Sequence, residues 1–467
     1  MVRASLVVAV ALAACACGEP VPSVSPHVVL VVCDTLRADH LPAYGYERDT
    51  APRLSAWAES GLVFEQVTAP SNWTRPSMLS IFTGRHPDET RQLAPGEPFP
   101  RDVPVLAELL RDAGYETAGV SANPFMTSAL GADRGFDVFV PLGRKPPEDG
   151  SRWKHLIAAG AVTDRVEYLL ASRNAGAAPL FLYVHLMDPH LPYDPPDDQR
   201  VFTPSDYAGD FDGSWRNFLP LHRLSAPETL SGPDRDQVIG LYDGEIARMD
   251  AGLERLRALL DEHLSDRPVV TLLTSDHGEA FGEGRSGRWA HGHGTGPWVT
   301  GVPLVLHGLD RWASAPETRT GGRRTSSRVG LVDVLPTLLD LTGVPHPDDL
   351  DGRSLLAPAD GREFVVYRAH PRREQDELAI VRDDLRAVRG TEGWQLVRHD
   401  DASEQPLDDR ARLASLQRAA ASWAETSRRR LAAESRVENV DLSEELREQL
   451  EALGYLGEAA VSADEDR

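Results

Sequence analysis

Residues 27–34 of the chain read HVVLVVCD, a run of seven apolar or weakly polar residues that ends in Asp34. A continuous β-branched run of this length is typical of a strand that is buried on both faces of a parallel sheet. Open parallel sheets bind ligands at the carboxyl ends of their strands. The stretch therefore predicts a central strand that places a carboxylate at the functional edge of the sheet.

Two further runs have the same character, FLYVHL at residues 181–186 and VVTLLT at residues 269–274. Segments with helical spacing of apolar residues alternate with these strands: Ala51–Gly61, Met78–Phe82, Val103–Gly114, Ile239–Leu260 and Val332–Leu341. This alternation predicts an α/β fold with a doubly wound, mostly parallel central sheet. We expect this catalytic domain to cover residues 27–356.

After about residue 356 the pattern of apolar and turn-forming residues in the sequence changes. Short strand-like segments separated by turn residues follow: Phe364–Arg368, Leu378–Arg382, Leu385–Val388 and Trp394–Val397. They predict a smaller C-terminal lobe with an antiparallel sheet. Residues 357–457 form this lobe together with a helix at Leu442–Leu453, and residues 458–467 form an acidic tail to which no function is assigned.

The N-terminus has the layout of a bacterial signal peptide. A charged start precedes an apolar run that is too short to span a membrane, and Leu12-Ala13-Ala14-Cys15 resembles a lipobox. We therefore expect a lipoprotein-type signal at residues 1–14, a tether at 15–26, and an exported, periplasmic or outer-surface lipoprotein that touches the membrane only through its lipid anchor. Cleavage of an ordinary signal after Ala14 or Ala16 is the alternative.

Composition narrows the range of partners. The net charge is −23, which argues against nucleic acid as a partner. An anionic substrate would have to be attracted locally, by a metal ion or by a few cationic side chains. Once the two leader cysteines are set aside, Cys33 is the remaining thiol, and its apolar surroundings predict a buried small side chain. The oligomeric state is left open.

Polar side chains follow each of the three predicted strands. Asp34 comes after the first strand, Asp188 and His190 after the second, and Asp276 with His277 after the third. Carboxylates combined with imidazole suit zinc or manganese, and calcium or magnesium also accept such oxygen ligands. The pattern predicts a divalent-metal site at the edge of the sheet.

Residues 72–84, NWTRPSMLSIFTG, add a candidate nucleophile. We expect Thr74 in a turn that leads into a helix, where free backbone N–H groups can hold an anion. An unassisted hydroxyl is a poor nucleophile at neutral pH, and coordination to a divalent metal would activate it. The alternative is that Thr74 only caps the helix.

Several blocks of the sequence resemble the sulfatase-like hydrolases and transferases of the alkaline phosphatase superfamily. The blocks occur in the order of the family: Asp34 to His40, Thr74 to Gly84, His185 to Tyr193, Ser275 to Glu279, His291 to His293 before Val302-Pro303-Leu304, and Val332 to Thr337 before Asp351 to Leu355. Together they cover about residues 27–356. The resemblance implies an alkaline phosphatase-like fold and hydrolysis of a sulfuric or phosphoric ester.

The resemblance also implies roles for particular residues. Asp34, Asp276 and His277 would bind the metal, and Thr74 would complete the coordination shell. The residues that would contact the transferred anion or hold a second metal are Asp188, His190, His291 and His293. Arg75 and Asn123 would contact the substrate.

Departures from the family pattern matter as much as the matches. Thr74 stands where sulfatases carry the cysteine or serine that becomes formylglycine, which excludes that cofactor here, and Met78 replaces an arginine of the motif. Asn123 follows the block that normally leads to a substrate-binding lysine. Thr35 in place of a second aspartate, with His277 in place of asparagine, shifts the expected metal from calcium towards zinc or manganese. A threonine nucleophile with such ligands is similar to the phosphodiesterase, phosphoglycerol transferase and phosphoethanolamine transferase branches.

These features predict a two-step reaction. Metal-bound Thr74 attacks sulfur or phosphorus to give a covalent threonyl ester, which water or an acceptor alcohol resolves, while His190 or His293 protonates the leaving group. The substrate would be a small-molecule, glycan or lipid ester, and its leaving group is left open. A second metal, and a non-catalytic lipoprotein that binds ligands at the surface, remain as alternatives.

Overall fold

The computed structural model of the protein describes residues 24–87, 96–143, 154–174, 176, 178–222, 230–285, 287–309, 323–357, 360–368, 377–390, 393–433 and 440–452. The predicted signal peptide and the acidic tail lie outside these residues, as does most of the tether. None of the helices in this part of the chain has the length and apolar character needed to cross a membrane.

The strands and helices follow one another closely along the chain. In chain order the strands are β1 His27–Cys33, β2 Leu62–Phe64, β3 Val67–Thr68, β4 Glu116–Ser121, β5 Val138–Pro141, β6 Leu180–Leu186, β7 Val269–Thr274, β8 Ala280–Phe281, β9 Trp289–Ala290, β10 Leu304–His307, β11 Arg323–Thr325, β12 Val329–Gly330, β13 Phe364–Arg368, β14 Glu377–Arg382, β15 Leu385–Gly390 and β16 Gly393–Arg398. The helices are α1 Pro52–Glu59, α2 Thr74–Thr83, α3 Leu106–Asp112, α4 Ala159–Ala171, α5 Trp215–His222, α6 Gly232–His263, α7 Pro297–Thr300, α8 Val334–Thr342, α9 Arg410–Ala433 and α10 Glu444–Ala452.

Eight of these strands form the central sheet, in the order β11-β2-β10-β7-β1-β6-β4-β5. Strand β1 lies in the middle and pairs in parallel with both β6 and β7, whereas β10 runs antiparallel to its two neighbours. The sheet is therefore mostly parallel, and the predicted fold class is confirmed. Because the three strands are parallel neighbours, their carboxyl ends meet at one edge.

Helices cover both faces of the sheet, and alternate residues of β1 face different layers. Val29 and Val31 pack into a core with side chains of α1, α4 and α6. Val28 and Leu30 pack into a second core with side chains of α2, α3 and α8. All seven residues of β1 are buried, which explains why this strand has a continuous apolar sequence instead of an alternating one.

The C-terminal lobe is built on a four-stranded antiparallel sheet, β13-β14-β15-β16, as expected. Its inner face packs against α9, through Leu416, Ala420 and Trp423 among others. Helix α9 was not predicted, because its 24 residues are rich in arginine and alanine and its apolar positions are sparse. Helix α10 packs instead on the catalytic domain, through Leu446 and Leu450.

Candidate metal centre and nucleophile

Asp34, Asp276 and His277 come together at the carboxyl ends of β1 and β7. Each offers a ligand atom, and the three atoms lie within 4.8 Å of one another. All three side chains are fully buried. The strand pairing explains the meeting, since β1 and β7 are in register up to Val32 and Thr274 and the ligands follow directly.

The hydrogen bonds around these side chains leave one ligand atom of each pointing into the group. Oδ2 of Asp34 accepts a hydrogen bond from Asn123, and Oδ1 of Asp276 accepts from the backbone N–H groups of Thr35 and His277, at 3.3 and 2.9 Å. The opposite carboxylate oxygens, Oδ1 of Asp34 and Oδ2 of Asp276, have no hydrogen-bond partner. Nδ1 of His277 bonds the Gly278 carbonyl at 2.9 Å, so that Nε2 remains as the metal-binding nitrogen.

This donor set fits a divalent cation. Two buried carboxylates repel each other and lack solvent, and buried charges are normally paired or bound to metals. Burial raises the pKa of Asp34 to about 6. Burial, and secondly the charge of Asp34, also raise the pKa of Asp276. Two carboxylate oxygens without partners and one imidazole nitrogen are the ligand types that zinc and manganese accept.

Thr74 lies beside these side chains. It is the first residue of α2, whereas the sequence predicted it in the turn before the helix. Its Oγ1 is 3.4 Å from Nε2 of His277 and 3.3 Å from Nδ2 of Asn123. The extended conformation of Trp73 begins the helix at this point. The first N–H groups of a helix have no intrahelical acceptor, so those of α2 are oriented to stabilise negative charge near Thr74.

Asn123, which follows β4, bridges Thr74 and Asp34. Its amide nitrogen donates to both Asp34 and Thr74, while its carbonyl oxygen accepts from the backbone N–H of Phe125 at 2.8 Å. The sequence motif assigned this residue to substrate contact. In the structure its contacts orient Thr74 and Asp34 towards each other.

Of the predicted histidines, His291 lies next to His277 and His190 lies next to His291. The ring of His291 is 4.7 Å from that of His277 and 4.9 Å from that of His190, measured between centroids. Nδ1 of His190 bonds the Leu191 carbonyl at 2.7 Å. Nε2 of His293, in contrast, lies 2.8 Å from the Trp289 carbonyl within its own loop.

Comparison with known proteins decides the family. The family model described as Sulfatase matches residues 26–344, which is more than half of the chain. The protein belongs to the sulfatase family. It is thus an ester hydrolase of the sulfatase-like type, as predicted.

Individual relatives are distant. Human iduronate 2-sulfatase is 24% identical over 436 residues, covering 74% of this chain and 78% of the relative. N-acetylglucosamine-6-O-sulfatase of Bacteroides thetaiotaomicron is 22% identical, covering 77% and 76%. The structure of a phosphonate monoester hydrolase from Agrobacterium radiobacter superimposes with a TM-score of 0.67 at 20% identity, covering 87% of this chain and 96% of that one. This likeness places the protein in the alkaline phosphatase-like fold.

Two other members of the predicted set have contacts of a different kind in this sulfatase-family protein. Both carboxylate oxygens of Asp188 are engaged, by Nε of Arg248 at 2.6 Å and by the backbone N–H of Ala159 at 2.7 Å. Arg75 donates to the Glu97 carbonyl and lies near the ring of Phe99. The structure does not bring Asp188 into the three-ligand group. A substrate contact by Arg75 remains a prediction.

Two residues near the site were missed by the sequence analysis, although they occur within its motifs. Glu279 is buried, and its Oε1 lies 3.0 Å from Nδ1 of His291. His185 is buried within β6, with Nε2 at 3.4 Å from Oδ2 of Asp34. Burial lowers the pKa of His185 to about 4, so its imidazole is neutral. Both residues occur within sequence blocks that resemble the family. Neither directly follows the end of a predicted strand, which was the signal that selected Asp34, Asp276 and His277.

The buried carboxyl group of Glu279 should make the free energy of unfolding depend on pH. Burial raises its pKa from 4.5 to about 8, so the folded protein binds this proton more tightly than the unfolded chain does. Its contribution to stability is therefore fully present below about pH 4.5 and is lost as the pH rises through 8. We expect metal-free Glu279→Gln protein to lose less stability than wild type between pH 5 and pH 8, measured by urea denaturation.

The exposed Glu59 at the end of α1 provides the control. Glu59→Gln should keep the wild-type dependence on pH. Equal slopes for Glu279→Gln and wild type would show that the carboxyl of Glu279 does not hold a proton in the folded state.

Proposed function

We propose that the protein hydrolyses sulfate or phosphate esters through nucleophilic attack by Oγ1 of Thr74. The observation that carries this proposal is the position of the Thr74 hydroxyl, which contacts Nε2 of His277 at 3.4 Å, beside two buried carboxylate oxygens, Oδ1 of Asp34 and Oδ2 of Asp276, that have no hydrogen-bond partner. A hydroxyl that served only as a helix cap would bond a backbone N–H of its own first turn. No such bond is made at Trp73 or Thr74.

A divalent cation held by Asp34, Asp276 and His277 would lower the pKa of the Thr74 hydroxyl and offset the charge of the transferred group. We infer zinc or manganese from the donor set. Asn123 holds Oγ1 in place through a contact of 3.3 Å. The N–H groups at the start of α2 add stabilisation of the equatorial oxygens.

The reaction then has two displacements. In the first, a bond forms between Oγ1 of Thr74 and sulfur or phosphorus, the ester bond breaks, and the hydroxyl proton of Thr74 is released to solvent. The alcohol leaves with a proton, which we assign to His190 because its ring centroid lies 4.9 Å from that of His291, and the His291 centroid lies 4.7 Å from that of His277. In the second, the oxygen of water bonds to sulfur or phosphorus, the bond from that atom to Oγ1 of Thr74 breaks, and the transferred group leaves as sulfate or phosphate. One proton of the water restores the hydroxyl of Thr74, and the other replaces the proton that His190 gave to the alcohol.

Charge balance favours singly charged esters. Two carboxylates and one divalent cation sum to zero. Among the described residues, the side chains that hydrogen-bond to these ligands are those of Asn123 and Thr74, and neither is cationic. The nearby Lys154 is taken up by backbone carbonyls and by Glu245, with Nζ at 2.8 Å from Oε2 of Glu245. A sulfate monoester or a phosphodiester, each with one negative charge, suits this site better than a doubly charged phosphate monoester.

A phosphodiesterase is accordingly the second candidate function. The threonine nucleophile with two aspartates and a histidine supports it, and the phosphonate monoester hydrolase neighbour acts at phosphorus on the same fold. Transfer to an acceptor alcohol would use the same first step. Export as a lipid-anchored protein remains a prediction from the N-terminal sequence.

Removal of the nucleophile should abolish turnover. We expect Thr74→Ala to lower kcat/KM by more than about a thousandfold on every substrate that wild type hydrolyses, since loss of a nucleophile removes the covalent route. Ser77→Ala is the matched control, because Ser77 is a buried hydroxyl of the same helix. Activity retained by Thr74→Ala would exclude this residue as the nucleophile.

A substrate panel distinguishes the two candidates. We expect aryl sulfate or bis-aryl phosphodiester to be hydrolysed with a higher kcat/KM than aryl phosphate monoester, because two carboxylates and one divalent cation leave no excess positive charge to balance a second negative charge. Initial rates with one aryl leaving group throughout measure the preference. A preference for the phosphate monoester would contradict the charge argument.

The metal ligands predict a change in metal content. Asp276→Ala should lower the divalent metal bound per chain, measured by inductively coupled plasma mass spectrometry after dialysis, because one of three ligand atoms is lost. Asp250→Asn is a suitable control, since Asp250 is a buried carboxylate that instead bonds backbone N–H groups of α1. Unchanged metal content in Asp276→Ala would show that the metal binds elsewhere.

A further inference from the structure

His185 is a fully buried histidine inside the central sheet that none of the proposed steps uses. It lies in β6, opposite Val32 of β1 and Ser121 of β4. It is thus one residue before the end of β6, on the side of Asp34 that faces into the sheet. Its two ring nitrogens have different surroundings. Nδ1 lies 2.6 Å from the hydroxyl of Tyr183, and Nε2 lies 3.4 Å from Oδ2 of Asp34.

The surroundings of the ring determine which nitrogen carries the proton. Nε2 has no hydrogen-bond partner, and it faces the carboxylate of Asp34, with Asp276 also near enough to act on the ring electrostatically. A lone pair directed at the carboxylate of Asp34 would be repelled, whereas an N–H is attracted to it. The tyrosine hydroxyl can donate to Nδ1, which places the proton of the neutral ring on Nε2.

Asp34 is thus held on one side only. Its Oδ2 receives the amide of Asn123 and faces the Nε2–H of His185, whereas its Oδ1 has no partner and points into the ligand group. A carboxylate fixed through one oxygen presents the other as a single ligand atom. Residues that orient metal ligands in this way strengthen metal binding, and their loss typically weakens it by about 10- to 100-fold.

We propose that His185 is a positioning residue for the metal centre, which acts on Asp34 from below through Nε2–H and depends on Tyr183 for its orientation. The proposal rests on the proposed metal dependence, since it concerns a ligand of that site. His185 is not itself a member of the group of ligand atoms within 4.8 Å. Its influence is exerted through Asp34.

Two substitutions of His185 separate its polar contact with Asp34 from its packing role. His185→Phe keeps a ring but removes the donor, and we expect it to raise the dissociation constant for Zn²⁺ by about 10- to 100-fold. His185→Gln keeps an N–H near the position of Nε2, and should stay within about threefold of wild type, well below the loss expected without a donor. Competition of the full chain with a chromogenic chelator measures each constant.

His399→Phe is the matched control, because His399 is a buried histidine of the C-terminal lobe. It should leave Zn²⁺ affinity unchanged even if it lowers the thermal midpoint of the metal-free protein. A wild-type dissociation constant for His185→Phe would overturn the proposal. An equal loss of affinity in His399→Phe would also overturn it, since the effect would then reflect general destabilisation.

Tyr183→Phe supplies a second route if His185→Phe does not fold. It removes only the hydroxyl that orients Nδ1, and should also weaken Zn²⁺ binding, whereas unchanged affinity would contradict the proposed chain of contacts. A wild-type protein that binds no Zn²⁺ would refute the metal dependence itself. That outcome is distinct from one in which wild type binds the metal and the Tyr183 and His185 variants bind it equally well.

Discussion

Two carboxylates buried side by side at the ends of adjacent strands are the constraint around which the site is organised. Asp34 and Asp276 are both fully inaccessible to solvent, and this burial raises the pKa of each carboxyl group. Like charges in such surroundings destabilise a fold unless a cation or a proton compensates them. The unpartnered oxygens that face His277 show where compensation by a cation would take place.

The sheet produces this arrangement by its connectivity. Strand β1 comes first in the sequence but lies between β6 and β7, so segments about 150 and 240 residues further along the chain supply the partners of Asp34. From one side β7 brings Asp276 and His277, and from the other β6 brings His185. The central position of β1 requires its valine-rich sequence, because helices cover both faces of the strand.

The loop that carries His291 is hydrogen-bonded to the segment before Thr74, and the turn between β8 and β9 that precedes this loop is hydrogen-bonded to the C-terminal lobe. Asn72, two residues before Thr74, accepts from the backbone N–H of Gly292 at 2.8 Å and donates to the carbonyl of Gly294 at 2.6 Å. Glu404 of the lobe accepts from the backbone N–H of Arg285 at 3.1 Å. The lobe therefore contacts the segment that leads to His291 and does not contact the ligand group through this bond.

The sequence by itself determined the fold class, and it singled out Asp34, Asp276, His277 and Thr74, which the structure brings together. These could be predicted because a buried parallel strand leaves a continuous apolar run, and its last residue marks the functional edge of the sheet. Helix α9 left no comparable signal, since its apolar positions are sparse. Only the tertiary structure decided that Asn123 bridges Thr74 and Asp34, that Asp188 pairs with Arg248, and that His185 lies below Asp34. Those contacts join segments far apart in the chain, and a linear pattern does not record which side chains face each other once the strands have paired.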